Sequence, residues 1–135
     1  MPHIIPAIKY EQCRPAINWL CEVFGFEVHR LVEGPEDSIA HAQLAMGDVM
    51  IMVGSVDETD FGRLNIVPKA AGGRSTSSLY LCVDNVTVHH ARASEAGADI
   101  VIALKHEEYG GFSYSCRDIE GHLWTIGDYN PWSDH

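Results

Sequence analysis

Eight histidines, nineteen carboxylates and four cysteines in a chain of 135 residues raise the question of a metal or catalytic centre. Such a centre needs imidazole, thiolate or carboxylate donors at spacings that bring them together. The histidines supply no such spacing, since neither H-x-x-x-H nor H-E-x-x-H occurs. His89 and His90 are adjacent on a predicted helix and face different directions, His3 and His135 are terminal, and His122 follows Gly121 and orders a turn. His41 differs. In "IAHAQL" it alternates with Ala40 and Ala42, so it shares a strand face with Gln43 and is a candidate for ligand contact. Cys13, Cys21, Cys82 and Cys116 form no C-x-x-C pair and are expected as buried, reduced thiols of a cytoplasmic protein. Glu107 and Glu108 are either a solvated hairpin pair or a cation-binding rim. "AAGGRS" lacks the spacing of a phosphate loop and is taken as the mobile end of a linker. No Ser/His/Asp order stands out.

Two neighbouring stretches, "YGGFSYSCRD" and "RDIEGHLWTIGDY", hold the residues most able to line a pocket. Strand period places Phe112, Tyr114 and Cys116 on one face of the first, with Ser113 and Ser115 on the other. If the acidic turn closes Arg117 against His122, Tyr114 pairs with Thr125 inside a concave sheet and Trp124 lies under a helix. The alternative is that these aromatics are core, since strands favour them in any case.

The elements that must position these residues repeat. "IIPAIKY" is a strand beginning by Ile4 or Ile5. "CRPAINWLCEVFG" carries Ile17, Leu20, Cys21 and Phe24 at helical spacing, with Pro15 in the first turn and Gly25 beyond the end. This predicts a helix over Arg14 to Phe24. "FEVHRLVE", "IAHAQLAMG" and "DVMIMVGS" follow as three strands of a meander. After the polar stretch 56–75 the order recurs: strand "TSSLYLCVD", a helix from Asn85 to Ala96 closed by Gly97, and strands "ADIVIALK", "GFSYSCRD" and "HLWTIGDY". Tyr10 to Gly25 is 15 positions and Val83 to Gly97 is 14; Gly25 to Gly47 is 22 and Gly97 to Gly121 is 24. Glycines that close helices and hairpins therefore recur in phase, and repeat detection sets the fold. The expectation is one α+β domain over 1–135, with a β-α-β-β-β module at about 1–55, a linker at 56–75 and a second module at about 76–130. At the hairpin around Gly47 and Asp48 the turn length is open, so either Met50 and Met52 or Ile51 and Val53 face inward.

The formal charge of -10 repels phosphate backbones and anionic lipid, which argues against nucleic-acid and membrane partners. No apolar run reaches 18 residues, and the N-terminal "MPHIIP" lacks a basic region followed by an apolar stretch, so neither a membrane span nor a signal peptide is expected.

"AINWLCEVFGFEV", "IAHAQLAMGDVMIMVG", "LYLCVDNVTVHHARASEAGADI" and "RDIEGHLWTIGDY", in this order, resemble the vicinal-oxygen-chelate superfamily of glyoxalase I, bleomycin-resistance proteins and extradiol dioxygenases. The resemblance covers the chain apart from the linker. It implies a cup-shaped, eight-stranded mixed sheet with the helices outside. Metal-dependent members place a ligand on the first and last strand of each module, which by the family pattern falls on Ile5, Ile51, Ser78 and Thr125. The isoleucines have no donor atom, and the serine and threonine offer neutral hydroxyls. The resemblance therefore implies a bleomycin-resistance-like binder of a small organic molecule in a dimer-associated cleft without metal or other cofactor. The acidic surface, with Glu107 and Glu108, favours a cationic ligand over an anionic one. The expected ligand contacts are Ile51, Ser78, Tyr80, Phe112, Tyr114, Thr125 and His41. A homodimer is expected, with the linker able to let modules exchange between chains. The alternative is a metal-dependent lyase, isomerase or dioxygenase using shifted donors such as His41 with Glu107 or Glu108. A partner-binding module of structural or regulatory role has no positive sequence feature.

Overall fold

Among the described residues two α-helices and eight strands follow the duplicated order, and the helical run opened by each α-helix closes where glycine permits a left-handed residue. The computed structural model describes residues 2–133, so His135 lies outside the described residues. Strand β1 (Ala7–Tyr10) leads into helix α1 (Cys13–Trp19), which widens into a π-helical segment (Leu20–Phe24). Gly25 closes that segment at φ +93°, a conformation that costs a side-chain-bearing residue far more. Strands β2 (Glu27–Glu33), β3 (Ile39–Met46) and β4 (Val49–Ser55) complete the first module. The second holds β5 (Leu79–Cys82), α2 (Val86–Glu95), β6 (Asp99–His106), β7 (Phe112–Arg117) and β8 (Leu123–Gly127). The Asn85 side chain caps α2 by accepting from the Val88 amide at 3.1 Å. The stretch between the modules carries two short 3-10 turns, Gly62–Leu64 and Pro68–Ala71.

The eight strands form two four-stranded mixed sheets of identical topology, β1-β4-β3-β2 and β5-β8-β7-β6. In each, the first strand runs parallel to the last strand of its own module and the remaining pairs are antiparallel.

One face of each sheet is packed under helix. In the first sheet that face presents Ile8, Tyr10, Ala42, Leu44, Ile51 and Val53; in the second it presents Leu81, Tyr114, Cys116, Trp124 and Ile126. These residues join Ile17, Leu20, Val23 and Phe24 in a single core that both modules share. Phe24 of the first module packs edge-on against Trp124 of the second at 5.0 Å between ring centroids.

Polar groups fasten the same seam. Asp118 and Glu120, in the β7–β8 turn, are 5% and 6% exposed. Asp118 accepts hydrogen bonds from the Tyr10 hydroxyl (2.6 Å), the Trp124 indole N–H (3.1 Å) and the amides of Glu120 and His122 (3.1 and 3.0 Å). Glu120 accepts from the amides of Glu11 and Gln12 at 2.5 and 2.7 Å, just ahead of α1. A buried carboxylate persists only where donors replace its water. Here Tyr10, Glu11 and Gln12 supply them from about a hundred positions away, while Asp118 draws the rest from its own turn and β8. The acidic turn thus anchors one module to the other.

Candidate functional site

The face of each sheet away from the helices is the candidate site, and strand register fixes which side chains it carries. In the second sheet Tyr80 pairs with Thr125, Thr125 with Ser115, and Ser115 with Ile102. Partners in register point to the same side. One row therefore crosses that face as exposed Tyr80, half-buried Thr125, buried Ser115 and exposed Ile102. The Ser115 and Thr125 hydroxyls lie 2.7 Å apart. Ser78, two residues before Tyr80, lies on the same side by strand period and is exposed.

Tyr80 is held rather than free. Its hydroxyl donates to the Tyr129 carbonyl at 2.6 Å, passing over Gly127, where a Cβ would stand 2.7 Å from that hydroxyl. Burial, with Cys82 and Tyr109 close by, pushes the Tyr80 phenol up to about 12, so it remains a neutral donor near pH 7.

The first sheet carries the equivalent row with other chemistry. Ala7 pairs with Met52, Met52 with Gln43, and Gln43 with Arg30. His41 and Gln43 do share this open face, with His41 Nε2 3.1 Å from Gln43 Oε1. Gln43 Nε2 lies 3.2 Å from His29 Nδ1 and 3.8 Å from Met50 Sδ. Ile5 lies on this side and is exposed.

Three expectations are corrected by this register. Arg117 closes against Leu123, not His122, so Ser115 rather than Tyr114 pairs with Thr125. Tyr114 is fully buried on the helix side, 2.7 Å from His89 Nδ1, with its pKa raised first by burial. Phe112 shares that side of β7, where its exposed ring meets His106 at 5.2 Å. On β4, Ile51 is 2% exposed and belongs to the core, so Met50 and Met52 take the open face. A one-residue slip moves every side chain of a strand to the other side, and all three corrections have that origin.

A cavity of about 650 Å³ opens between the modules, bordered by Ile5, Phe26, Gln43, Met50, Tyr80 and Trp124. Ile51 reaches its floor, whereas Ser78, His41 and Thr125 do not line it. Glu107 lies beside the second open face, accepting from the Ser113 hydroxyl at 2.8 Å. His41 stands on β3 of the first sheet, whereas Glu107 follows the end of β6 in the second module.

The donor set does not fit a divalent ion. No group of three or more His, Cys, Asp or Glu side chains is gathered to hold one among the described residues. The Thr125 hydroxyl, at a family ligand position, is engaged by Ser115. Nor are the thiols poised as nucleophiles: burial pushes Cys13 up to about 11 and Cys116 up to about 12.

Sequence reasoning passed over Asp118 and Glu120 as anchors, although the acidic turn itself was visible. Their partners in the first module lie too far along the chain for spacing to reveal. Among the described residues no helix is long and apolar enough to cross a membrane.

A family model described as "Glyoxalase/Bleomycin resistance protein/Dioxygenase superfamily" matches residues 3–126. The structure is similar to TioX from Micromonospora sp. ML1, with 31% identity and a TM-score of 0.76, over 96% of this chain and 100% of that one. It also resembles in fold the bleomycin resistance determinant encoded on transposon Tn5, at 16% identity and a TM-score of 0.68, over 96% and 99% of the two chains. Among curated proteins, the uncharacterized protein Mb0911c of Mycobacterium bovis is 26% identical over 126 residues, 93% of this chain and 82% of that protein.

Proposed function

We propose, from the premise that the chain belongs to the glyoxalase/bleomycin resistance protein/dioxygenase superfamily, that it binds a small organic molecule against its open sheet faces without a catalytic metal. The observation carrying this reading is the Tyr80–Thr125–Ser115 row, a strip of neutral hydroxyls in which Thr125 stands at a position where metal-using relatives need imidazole or carboxylate. Hydroxyls beside an aromatic ring orient a flat organic ligand. The formal charge of -10 and the neighbouring Glu107 tilt the preference toward a cation.

A homodimer completes the cleft in this reading. Val28, Leu31 and Val32 on β2 and Val101 and Ile102 on β6 are exposed apolar residues on the outermost strand of each sheet. Apolar strand surface of this kind gains by being covered. Dimerisation that brings one protomer's Met-rich face toward its partner's hydroxyl face would enclose a ligand neither face encloses alone. The four free cysteines suit a reducing compartment such as the cytoplasm.

Bleomycin is the first probe to use, since the Tn5-encoded relative of the same fold is a bleomycin resistance determinant. Calorimetric titration of wild type and Tyr80→Ala is expected to show saturable binding weakened at least about tenfold by the substitution, or about 1.4 kcal/mol. If bleomycin is silent, a panel of cationic and neutral aromatic compounds takes its place. A panel with no ligand sensitive to Tyr80 or Thr125 would overturn the reading.

A further inference from the structure

A second site lies apart from the open faces, at the seam between the modules. A cavity of about 650 Å³ is bordered there by Trp19 from the first module, by Lys69 and residues 72–74 of the linker, and by Gly97, Asp99, residues 117–119 and Gly121 from the second. Neither Ser78, Tyr80, Thr125 nor His41 lines it.

Its charge is opposite to that of the molecule. The chain has nineteen carboxylates against nine lysines and arginines. This cavity nonetheless gathers three cations, Lys69, Arg74 and Arg117, against two carboxylates, Asp99 and Asp118. Asp118 is already committed to four donors from the fold. Asp99 meets only Arg117, at 3.5 Å. Lys69 and Arg74, like Arg30, Arg92 and Lys105 elsewhere, have no carboxylate within ion-pair distance among the described residues, whereas Lys9 and Arg63 each have one and Arg14 has two. Unpaired cations on a strongly acidic protein, converging on one concavity, define a local positive field that favours an anion.

The concavity also has room and an apolar wall. A Cβ placed on Gly72, Gly73 or Gly97 would meet nothing within 4 Å, so the lip of the cavity is open. Trp19 is half-buried, braced edge-on by Phe24 at 5.0 Å, and Ile119 borders the other side. A braced indole beside guanidinium groups receives a flat ring at small entropic cost.

We infer that this cavity binds a small organic anion, a carboxylate or phosphate carried on a flat ring. Arg74, Lys69 and Arg117 hold the charge and Trp19 takes the ring. Arg117 and Arg74 present planar forks that match carboxylate and phosphate oxygens two at a time. The "AAGGRS" stretch that ends the linker supplies Arg74, so its placement gives that segment a binding role.

The test is an amide correlation NMR titration of the full chain with adenosine monophosphate, benzoate, adenosine and inorganic phosphate at matched ionic strength. Adenosine monophosphate or benzoate is expected to shift the Gly72, Gly73, Gly97 and Gly121 amides and the Trp19 indole saturably, with adenosine and phosphate at least about tenfold weaker. A Lys69→Glu, Arg74→Glu double variant, altering two exposed side chains, is expected to fold normally and lose at least about tenfold in affinity. Shifts that never saturate, shifts untouched by the double variant, or phosphate binding as tightly as the ring-bearing anions would each overturn the inference. Because Tyr80 and Thr125 lie elsewhere, Tyr80→Ala leaves these shifts unchanged, and the two sites fail or stand separately.

Discussion

The two modules share a fold and differ in chemistry along the matched rows that cross their open faces. Ala7, Met52, Gln43 and Arg30 cross the first sheet where Tyr80, Thr125, Ser115 and Ile102 cross the second. Their hairpins differ as sharply. The β7–β8 turn holds two buried carboxylates that capture donors from the first module, whereas the β3–β4 turn offers only the exposed Gly47 and Asp48. Duplication preserves what backbone geometry demands, namely left-handed glycines at 25, 47, 97 and 121. It leaves side chains free to diverge, so one copy acquires the anchor and the hydroxyls while the other keeps thioethers and an amide.

The largest test of that contrast is Asp118→Ala against Asp48→Ala. The first leaves the Tyr10 hydroxyl, the Trp124 indole and two amides without their acceptor, and is expected to cost about 3–5 kcal/mol in chemical denaturation. The second removes an exposed turn carboxylate and is expected to stay within about 0.5 kcal/mol. Equal effects would mean that the β7–β8 turn is not the anchor.

Glu120→Ala ranks next. It deprives the Glu11 and Gln12 amides of an acceptor, for an expected loss of about 2 kcal/mol, while Glu120→Gln keeps an acceptor and is expected to lose less. A loss from Glu120→Gln as large as that from the alanine variant would place the contribution in charge alone.

On the open faces the expected stability changes are smaller and the binding changes larger. Thr125→Val breaks the hydroxyl pair with Ser115 at nearly constant shape. Its expected cost is about 1 kcal/mol of stability, with at least about a tenfold loss of ligand affinity. Met52→Leu, at the matching position of the first sheet, is expected to cost under about 1.5 kcal/mol and to weaken binding less. If Met52→Leu weakens binding more, the hydroxyl face is not the dominant one.

The pH dependence sharpens the seam. Burial lowers the His89 pKa below its usual value of about 6.5, while its Nδ1 meets the Tyr114 hydroxyl. Between the lowered folded-state value and about 6.5 the unfolded chain binds more protons, so stability rises with pH across that window. Unfolding free energy is therefore expected to fall as pH drops through about 6.5, then to level off below the folded-state pKa. His89→Gln is expected to flatten that slope, and an unchanged slope would assign the acid loss to other groups.

How much of this was legible in the sequence follows from the same contrast. Module order and helix positions could be read because Gly25 and Gly97 mark left-handed helix ends, and helical spacing survives small errors of boundary. The first helix begins one residue earlier than expected and changes to π spacing after Trp19, a local widening that apolar periodicity does not register. Strand faces were less secure. Period two makes a one-residue error in either hairpin turn Tyr114 for Ser115 and Ile51 for Met52, and the turn residues admit both lengths. Internal symmetry resolves the second case: Ala7 stands to Met52 as Tyr80 stands to Thr125, so Met52 is the fourth position of the Ile5, Ser78 and Thr125 set. The first-module partners of Asp118 and Glu120, namely Tyr10, Glu11 and Gln12, lie more than a hundred residues away, and no local pattern announces them.

Native mass spectrometry of protein purified without chelator and then titrated with bleomycin or the best panel ligand tests the metal-free binding proposal most directly. The expected species is a homodimer carrying no stoichiometric divalent metal that takes up the ligand in whole-number steps, with uptake lost in the Thr125→Val, Tyr80→Ala variant. Contradiction would be a stoichiometric zinc, nickel, manganese or iron ion that ligand uptake requires and that is lost on substituting His41.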